Sequence, residues 1–154
     1  MLSPKEQVKN LLILHLGLLA GQVLILGILS IFVVNTLTYN INKDHELLYV
    51  IGIIAVIGGL LVGSIVFNQF RKKITSDLSL SQKLEQYKSA FIIRNALFEM
   101  SGMINIIFFA FIESNILFLA GAILIILIFF ANIPNPNSII SHLSLTRSEG
   151  DQLI

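Results

Sequence analysis

Glu99 places a carboxylate near the middle of the apolar run Phe91 to Ile112, four residues after Asn95 and five after Arg94. A charge at the centre of a bilayer costs at least about 2.5 kcal/mol on insertion scales, so such a residue points to a site by default. Two kinds of chemistry suit it. It can carry a proton or a cation, or it can hold a buried hydrogen bond to another helix, a partner subunit or a ligand. At 100° per residue, Asn95, Glu99 and Gly102 share a face about 60° wide, while Arg94, Ser101 and Asn105 lie roughly 100° or more away. Arg94 and Glu99 point about 140° apart, so an ion pair within the helix is not expected. Arg94 lies only four residues into the run, and its long stem is expected to reach the cytoplasmic headgroups. Glu99 then needs a partner from elsewhere. Asn95 one turn earlier is one, and His15 or Gln22, within about 20° of each other on the first helix, are the others.

No other residue set rises to a site. The chain has no cysteine, which removes disulfides, thiolate metal ligands and cysteine nucleophiles. It has no glycine-rich phosphate loop, no His-x-x-x-His pair and no Gly-x-Ser-x-Gly elbow. Asp44-His45-Glu46 are adjacent residues pointing in different directions, and they read as the polar cap of a helix rather than a metal site. No catalytic residue, metal or cofactor is expected, and the protein reads as non-enzymatic.

The elements that would position Glu99 are four apolar spans, about 11–34, 47–67, 90–112 and 116–131. Of 154 residues, 55% are hydrophobic and 12% charged, about half the charge of a soluble domain, with a mean hydropathy of +0.86. A span needs about 20 helical residues, so the fourth run is short and is expected to tilt little or to extend through Asn132 and Ile133. The fold class is therefore an all-α transmembrane four-helix bundle, with residues 1–133 as the membrane domain and 134–154 as a cytoplasmic interfacial tail. The first run follows Lys5 and Lys9 as in a signal peptide, but it lacks an Ala-x-Ala site and is read as a retained helix.

Basic residues orient the bundle. Lys5, Lys9, Arg71, Lys72, Lys73, Lys83, Lys88, Arg94 and Arg147 fall on one side and only Lys43 on the other, which predicts both termini in the cytoplasm. Arg71-Lys72-Lys73 reads as a headgroup anchor; with a net charge of +1 and no interleaved aromatics, no nucleic-acid partner is expected.

Ser3, Pro4 and Glu6 form a helix start of the capping-box kind, and Thr146 to Glu149 repeat the pattern in the tail. The third helix is expected to begin near Ser79 and to continue unbroken into the membrane for about thirty residues, its amphipathic stem resting on headgroups or on a partner. Glu113-Ser114-Asn115 reads as a tight turn joining helices three and four, and Pro134 and Pro136 end helix four. Small residues mark close helix packing: Gly17 and Gly21 on helix one, and Gly52, Ala55, Gly59 and Gly63 as one stripe on helix two. A lipid or substrate groove along that stripe is the alternative. Helices one and three also align without gaps, His15 on Arg94, Ala20 on Glu99 and Gln22 on Ser101, which suggests a parallel two-helix repeat.

Two resemblances add to this reading. Ile93-Arg94-Asn95-Ala96-Leu97-Phe98-Glu99, with the tail ending His142-Leu143-Ser144-Leu145 and Glu149, resembles a group of small uncharacterised bacterial four-helix integral membrane proteins; Met100 and Ile133 depart from its pattern. That resemblance implies topology only and lends no activity; the expected location is the bacterial cytoplasmic (inner) membrane. Ala96-Leu97-Phe98-Glu99 resembles, locally, the carboxylate helix of rotary-ATPase proteolipid subunits, where the carboxylate carries the transported proton or sodium ion. The long connecting loop, Arg94 and Asn105 depart from that family. The expectation is an accessory or assembly protein packed against partners in the lipid bilayer, as a homo-oligomer or within a larger complex. The alternative is a proton- or cation-handling bundle that uses Glu99.

Overall fold

Ser3 starts the first helix as its spacing predicts. Its hydroxyl accepts from the Glu6 amide at 3.3 Å, and the Glu6 carboxylate accepts from the Ser3 amide at 2.8 Å. A computed structural model describes residues 3–33, 37–111 and 114–154. Its helices are α1 (Pro4–Val33), α2 (Glu46–Lys72), α3 (Leu80–Phe111), α4 (Ile116–Ala131), α5 (Pro136–Leu143) and α6 (Arg147–Gly150), with a 3-10 turn at Lys43–His45 before α2. No strand occurs among the described residues, which hold only an isolated bridge between Thr38 and Asn115. Val34, Ile112 and Glu113, where two expected spans end and the tight turn begins, lie outside the described residues.

Among the described residues three helices, α1, α2 and α3, are long and apolar enough to cross a membrane, and α4 with α5 makes a fourth if that bent pair is one span. The fourth expected span ends at Ala131, with Asn132 as its C-cap, so the extension through Ile133 does not occur. Sixteen residues of helix rise only about 24 Å, short of a core roughly 30 Å thick. Beyond it the chain bends by 82° into α5. Asn135 and Ser138 make that second start, a reciprocal cap with Pro136 in the first turn.

The helix α3 is the axis of the bundle. It packs against α2, α4 and α1, while α1 and α2 make no extended contact with each other. The pairing Gly52–Asn105 and Gly63–Phe98 makes α2 antiparallel to α3, and His15–Asn95 and Gln22–Gly102 make α1 parallel to it. This corrects the expected two-helix repeat. Under a pseudo-two-fold, α1 would pack on α2 as α3 packs on α4, and only the second pair forms a hairpin.

Three apolar layers stack along this axis. Val8, Leu11, Phe67, Leu84, Tyr87 and Phe91 fill the basic end. Leu19, Val56, Phe98, Ile125 and Phe129 fill the middle, and Leu26, Tyr49, Ile106, Phe109 and Phe118 fill the far end. The tail belongs to the first layer, since Ile139 and Leu153 are buried in it and Lys83 pairs with Glu149 at 2.7 Å. The amphipathic stem of α3, begun at Ser79 by a bond from the Gln82 amide at 3.4 Å, therefore meets the chain's own tail and the start of α1. Outward, the helices show large apolar side chains such as Leu24, Ile31, Ile54, Leu61, Leu127 and Phe130.

Candidate functional site

Along α1 the buried residues Leu11, His15, Leu19, Gln22 and Leu26 recur at steps of three and four, so one stripe faces α3 and α4. Two members of that stripe are polar. His15 is fully buried, with its Nε2–H donating to the Phe129 carbonyl at 3.0 Å and its Nδ1 accepting from Asn95 Nδ2 at 2.9 Å. One donor and one acceptor at the two ring nitrogens assign the neutral Nε2–H tautomer. The ring stacks on Phe129 with centroids 5.1 Å apart and lies 5.6 Å from Phe91.

Gln22 is buried one layer further along, against Gly102. A Cβ on Gly102 would stand 2.9 Å from Gln22 Oε1 and 3.1 Å from Ile125, so the glycine opens the space that the amide fills. Among the described residues neither end of that amide has a hydrogen-bond partner, and Asn95 Oδ1 has none. Each such buried orphan costs about 1–3 kcal/mol. The face shared by Asn95 and Gly102 thus carries three unspent polar atoms within the α1–α3 seam.

Glu99 lies on α3 between those two levels, about 40° round the helix from Asn95. It is half-buried and bonds to no described residue. Of the four sequence-derived site residues, the structure joins His15 and Asn95, sets Gln22 against Gly102 nearby, and leaves Glu99 at the edge of the seam.

The packing glycines divide. A Cβ on Gly52 would stand 3.0 Å from Phe118, and one on Gly63 would stand 2.8 Å from Phe98. One on Gly59 would overlap the Ser101 hydroxyl. Gly59 and Gly63 bring the backbones of α2 and α3 together, Gly52 makes room for the Phe118 ring of α4, and Ala55 beside them is half-buried. Gly17 and Gly21, expected on the close-packing side of α1, meet nothing within 4 Å among the described residues of this chain. The reason is that α1 turns its His15–Gln22 stripe inward, which leaves the opposite, glycine-bearing side outside. The α2 stripe also borders an apolar groove of about 130 Å³ lined by Gly52, Val56, Phe118 and Gly121.

Four polar positions outside the expected site matter more than the sequence suggested. Arg94 does not reach out to the surface; it is 7% exposed, with its guanidinium carbon 4.3 Å from the Phe67 ring centroid, 4.8 Å from Phe91 and 5.8 Å from Phe98. Cation–π contacts contribute about 0.5–2 kcal/mol each, against a desolvation cost of several kcal/mol for a buried ion. Among the described residues its Nε has no partner and no carboxylate pairs with it. Asn105 donates to the carbonyls of Gly52 at 3.2 Å and Ser101 at 3.0 Å, pinning α2 to α3. Asn115 caps α4 and donates to Asn40 O at 2.9 Å and to Tyr49 Oη at 3.3 Å, which ties the two far-end connections together. His142, without a visible partner in the sequence, meets Tyr87 Oη at 3.0 Å through Nδ1. Among the described residues no group of three acidic, histidine or cysteine side chains could hold a metal ion.

Comparison of the chain with protein-family models, with curated proteins and with solved structures gives no match to any of them.

Proposed function

We propose that this chain is a non-enzymatic integral membrane protein of the bacterial cytoplasmic membrane, with both termini inside, that works as an accessory or assembly protein by packing against a partner at Glu99. The observation that carries the proposal is the state of that carboxylate. It is half-buried in the middle of a span-length helix and bonds to nothing described, whereas Asn95, Ser101 and Asn105 on the same helix are bonded inside the bundle. A carboxyl in lipid without a donor is expensive, and a donor from another chain relieves it. Gly17 and Gly21, unspent within the chain, offer a second place for close helix approach.

The absence of cysteine makes the test direct, because a single cysteine at exposed Met100 reports whatever lies beside Glu99. The Met100→Cys protein with Glu99 intact is expected to crosslink there to a partner or a second copy and to migrate as a complex after mild extraction. Glu99→Ala should lose both, and Glu99→Gln, which can still hydrogen bond, should keep them. A Met100→Cys protein that is monomeric and uncrosslinked in its native membrane with Glu99 intact would sink the proposal.

A second reading has its own support. Asn95 Oδ1 and both ends of the Gln22 amide are unpartnered one layer either side of Glu99, as acceptors and donors along a proton or cation route would be. Under that reading Glu99→Gln keeps assembly but abolishes proton or cation flux in proteoliposomes.

A further inference from the structure

Arg94 is a buried cation in search of an anion. It lines a cavity of about 230 Å³ at the basic end of the bundle, together with Tyr87, Asn132, Asn135, Ser138 and His142. Three phenylalanine rings hold its guanidinium, its Nε is orphaned, and no described carboxylate pairs with it. Phe67, Phe91 and Phe98 pack around the group, so what the site lacks is a counter-ion rather than a contact. Tyr87 Oη–H donating to His142 Nδ1 at 3.0 Å would leave the Nε2–H of a neutral His142 as a donor.

His142 also lines a larger cavity next to this one, about 680 Å³, where Arg71, Lys72 and Lys83 project. The carboxylate in that wall, Glu149, is already spent on Lys83 at 2.7 Å. The two cavities together therefore hold an excess of positive charge in Arg94, Arg71 and Lys72. A planar guanidinium presents paired donors that match a phosphate oxyanion, and basic pockets between helices at the cytoplasmic face suit phosphorylated headgroups.

We infer that Arg94 and His142 form a phosphate-binding site between α3 and the α4–α5 bend, with Arg71 and Lys72 at its entrance. The phosphate is supplied either by an anionic lipid headgroup or by a soluble phosphate. The site is independent of Glu99, which lies further along α3 toward the other end.

The test is binding to the full chain, delipidated in a neutral detergent. Native mass spectrometry records retained lipid when phosphatidylglycerol or phosphatidylcholine is added at equal mole fraction, and thermal unfolding by circular dichroism records stabilisation by either lipid or by inorganic phosphate. Phosphatidylglycerol is expected to bind one per chain in preference to phosphatidylcholine. Arg94→Gln should weaken it at least about tenfold and Arg71→Gln by a smaller factor. Stabilisation by inorganic phosphate, lost in Arg94→Gln, with no preference between the lipids would assign the site to a soluble phosphate. Arg94→Lys keeps the charge without the paired donors, so it covers the case in which Arg94→Gln does not fold, and it should still bind more weakly than wild type. Equal retention of both lipids together with no effect of inorganic phosphate would overturn the inference. So would binding that survives at Arg94→Lys and Arg94→Gln but disappears at Arg71→Gln, which would mean attraction to the basic surface alone.

Discussion

Replacing Gly59 with alanine should loosen the α2–α3 seam, and the structure allows the size of the effect to be worked out. The added methyl would overlap the Ser101 hydroxyl and stand 2.9 Å from Ser101 Cβ and 3.1 Å from the Leu97 carbonyl oxygen. Rotating the hydroxyl away gives up its 2.8 Å bond to that carbonyl and still leaves the Cβ contact. Relief therefore requires the two backbones to part. Overpacking of this kind costs about 1–3 kcal/mol, while alanine gains up to about 1 kcal/mol over glycine in a helix. Gly17→Ala supplies the control, because nothing lies within 4 Å of its Cβ and only the propensity gain remains. The difference between the two variants isolates the steric term, expected at about 1–3 kcal/mol. Reversible unfolding in mixed micelles, followed by circular dichroism, measures it. Ser101→Gly in the Gly59→Ala background removes both serine atoms and should recover most of the loss. A difference between the two single variants below about 0.5 kcal/mol, the usual error of such comparisons, would refute the argument that backbone approach holds this seam.

Other expectations concern the polar contacts. Asn95→Leu leaves His15 Nδ1 buried without a donor and should destabilise the bundle by about 1–3 kcal/mol in the same unfolding assay. Gly121→Ala would set a methyl 2.6 Å from Asn105 Oδ1, and it should be among the less tolerated changes on α4. Acid should release the tail. The bond from Lys83 holds the Glu149 carboxyl below its ordinary range, so its contribution is complete above about pH 4.3 and is lost as pH falls through the folded value. Burial, with Arg71 and Arg94 nearby, pushes the His142 imidazole down, so its contribution is complete above about pH 6.5 and fades below it. Both act in one direction, and protease cleavage within residues 136–154 should increase as pH falls from about 7 to 3, with Lys83→Met removing the lower part of that dependence.

Much of the architecture could be read from residue order because the signals were local. Ser3 and Glu6, Ser79 and Gln82, and Thr146 and Glu149 announce helix starts by chemistry within one turn, and each forms the bonds that its spacing implies. The glycine stripe of α2 is likewise a local regularity, and three of its members meet α3 or α4. What could not be read is which side of each helix faces which neighbour. On α1 a glycine pair and a His–Gln stripe compete for the inside, and small residues alone favour the wrong one. The winner depends on Asn95 and the Phe129 carbonyl, eighty and more residues away. Arg94 failed for a similar reason. A snorkelling stem is the default near a helix entrance, and only the fold brings Phe67 from α2 over its guanidinium.

The central position of α3 has a consequence for how the chain is made. Helices α1 and α2 leave the ribosome before α3, yet among the described residues they share no extended contact and have little to hold on to in each other. His15 and Gln22 wait for Asn95 and Gly102, and the Gly52–Gly63 stripe waits for Phe98, Ser101 and Asn105. Assembly should therefore wait for the third helix, and a nascent chain stalled before Leu80 should expose its polar stripe to chaperones and proteases. Quality control of this protein would then turn on one event, the arrival of α3.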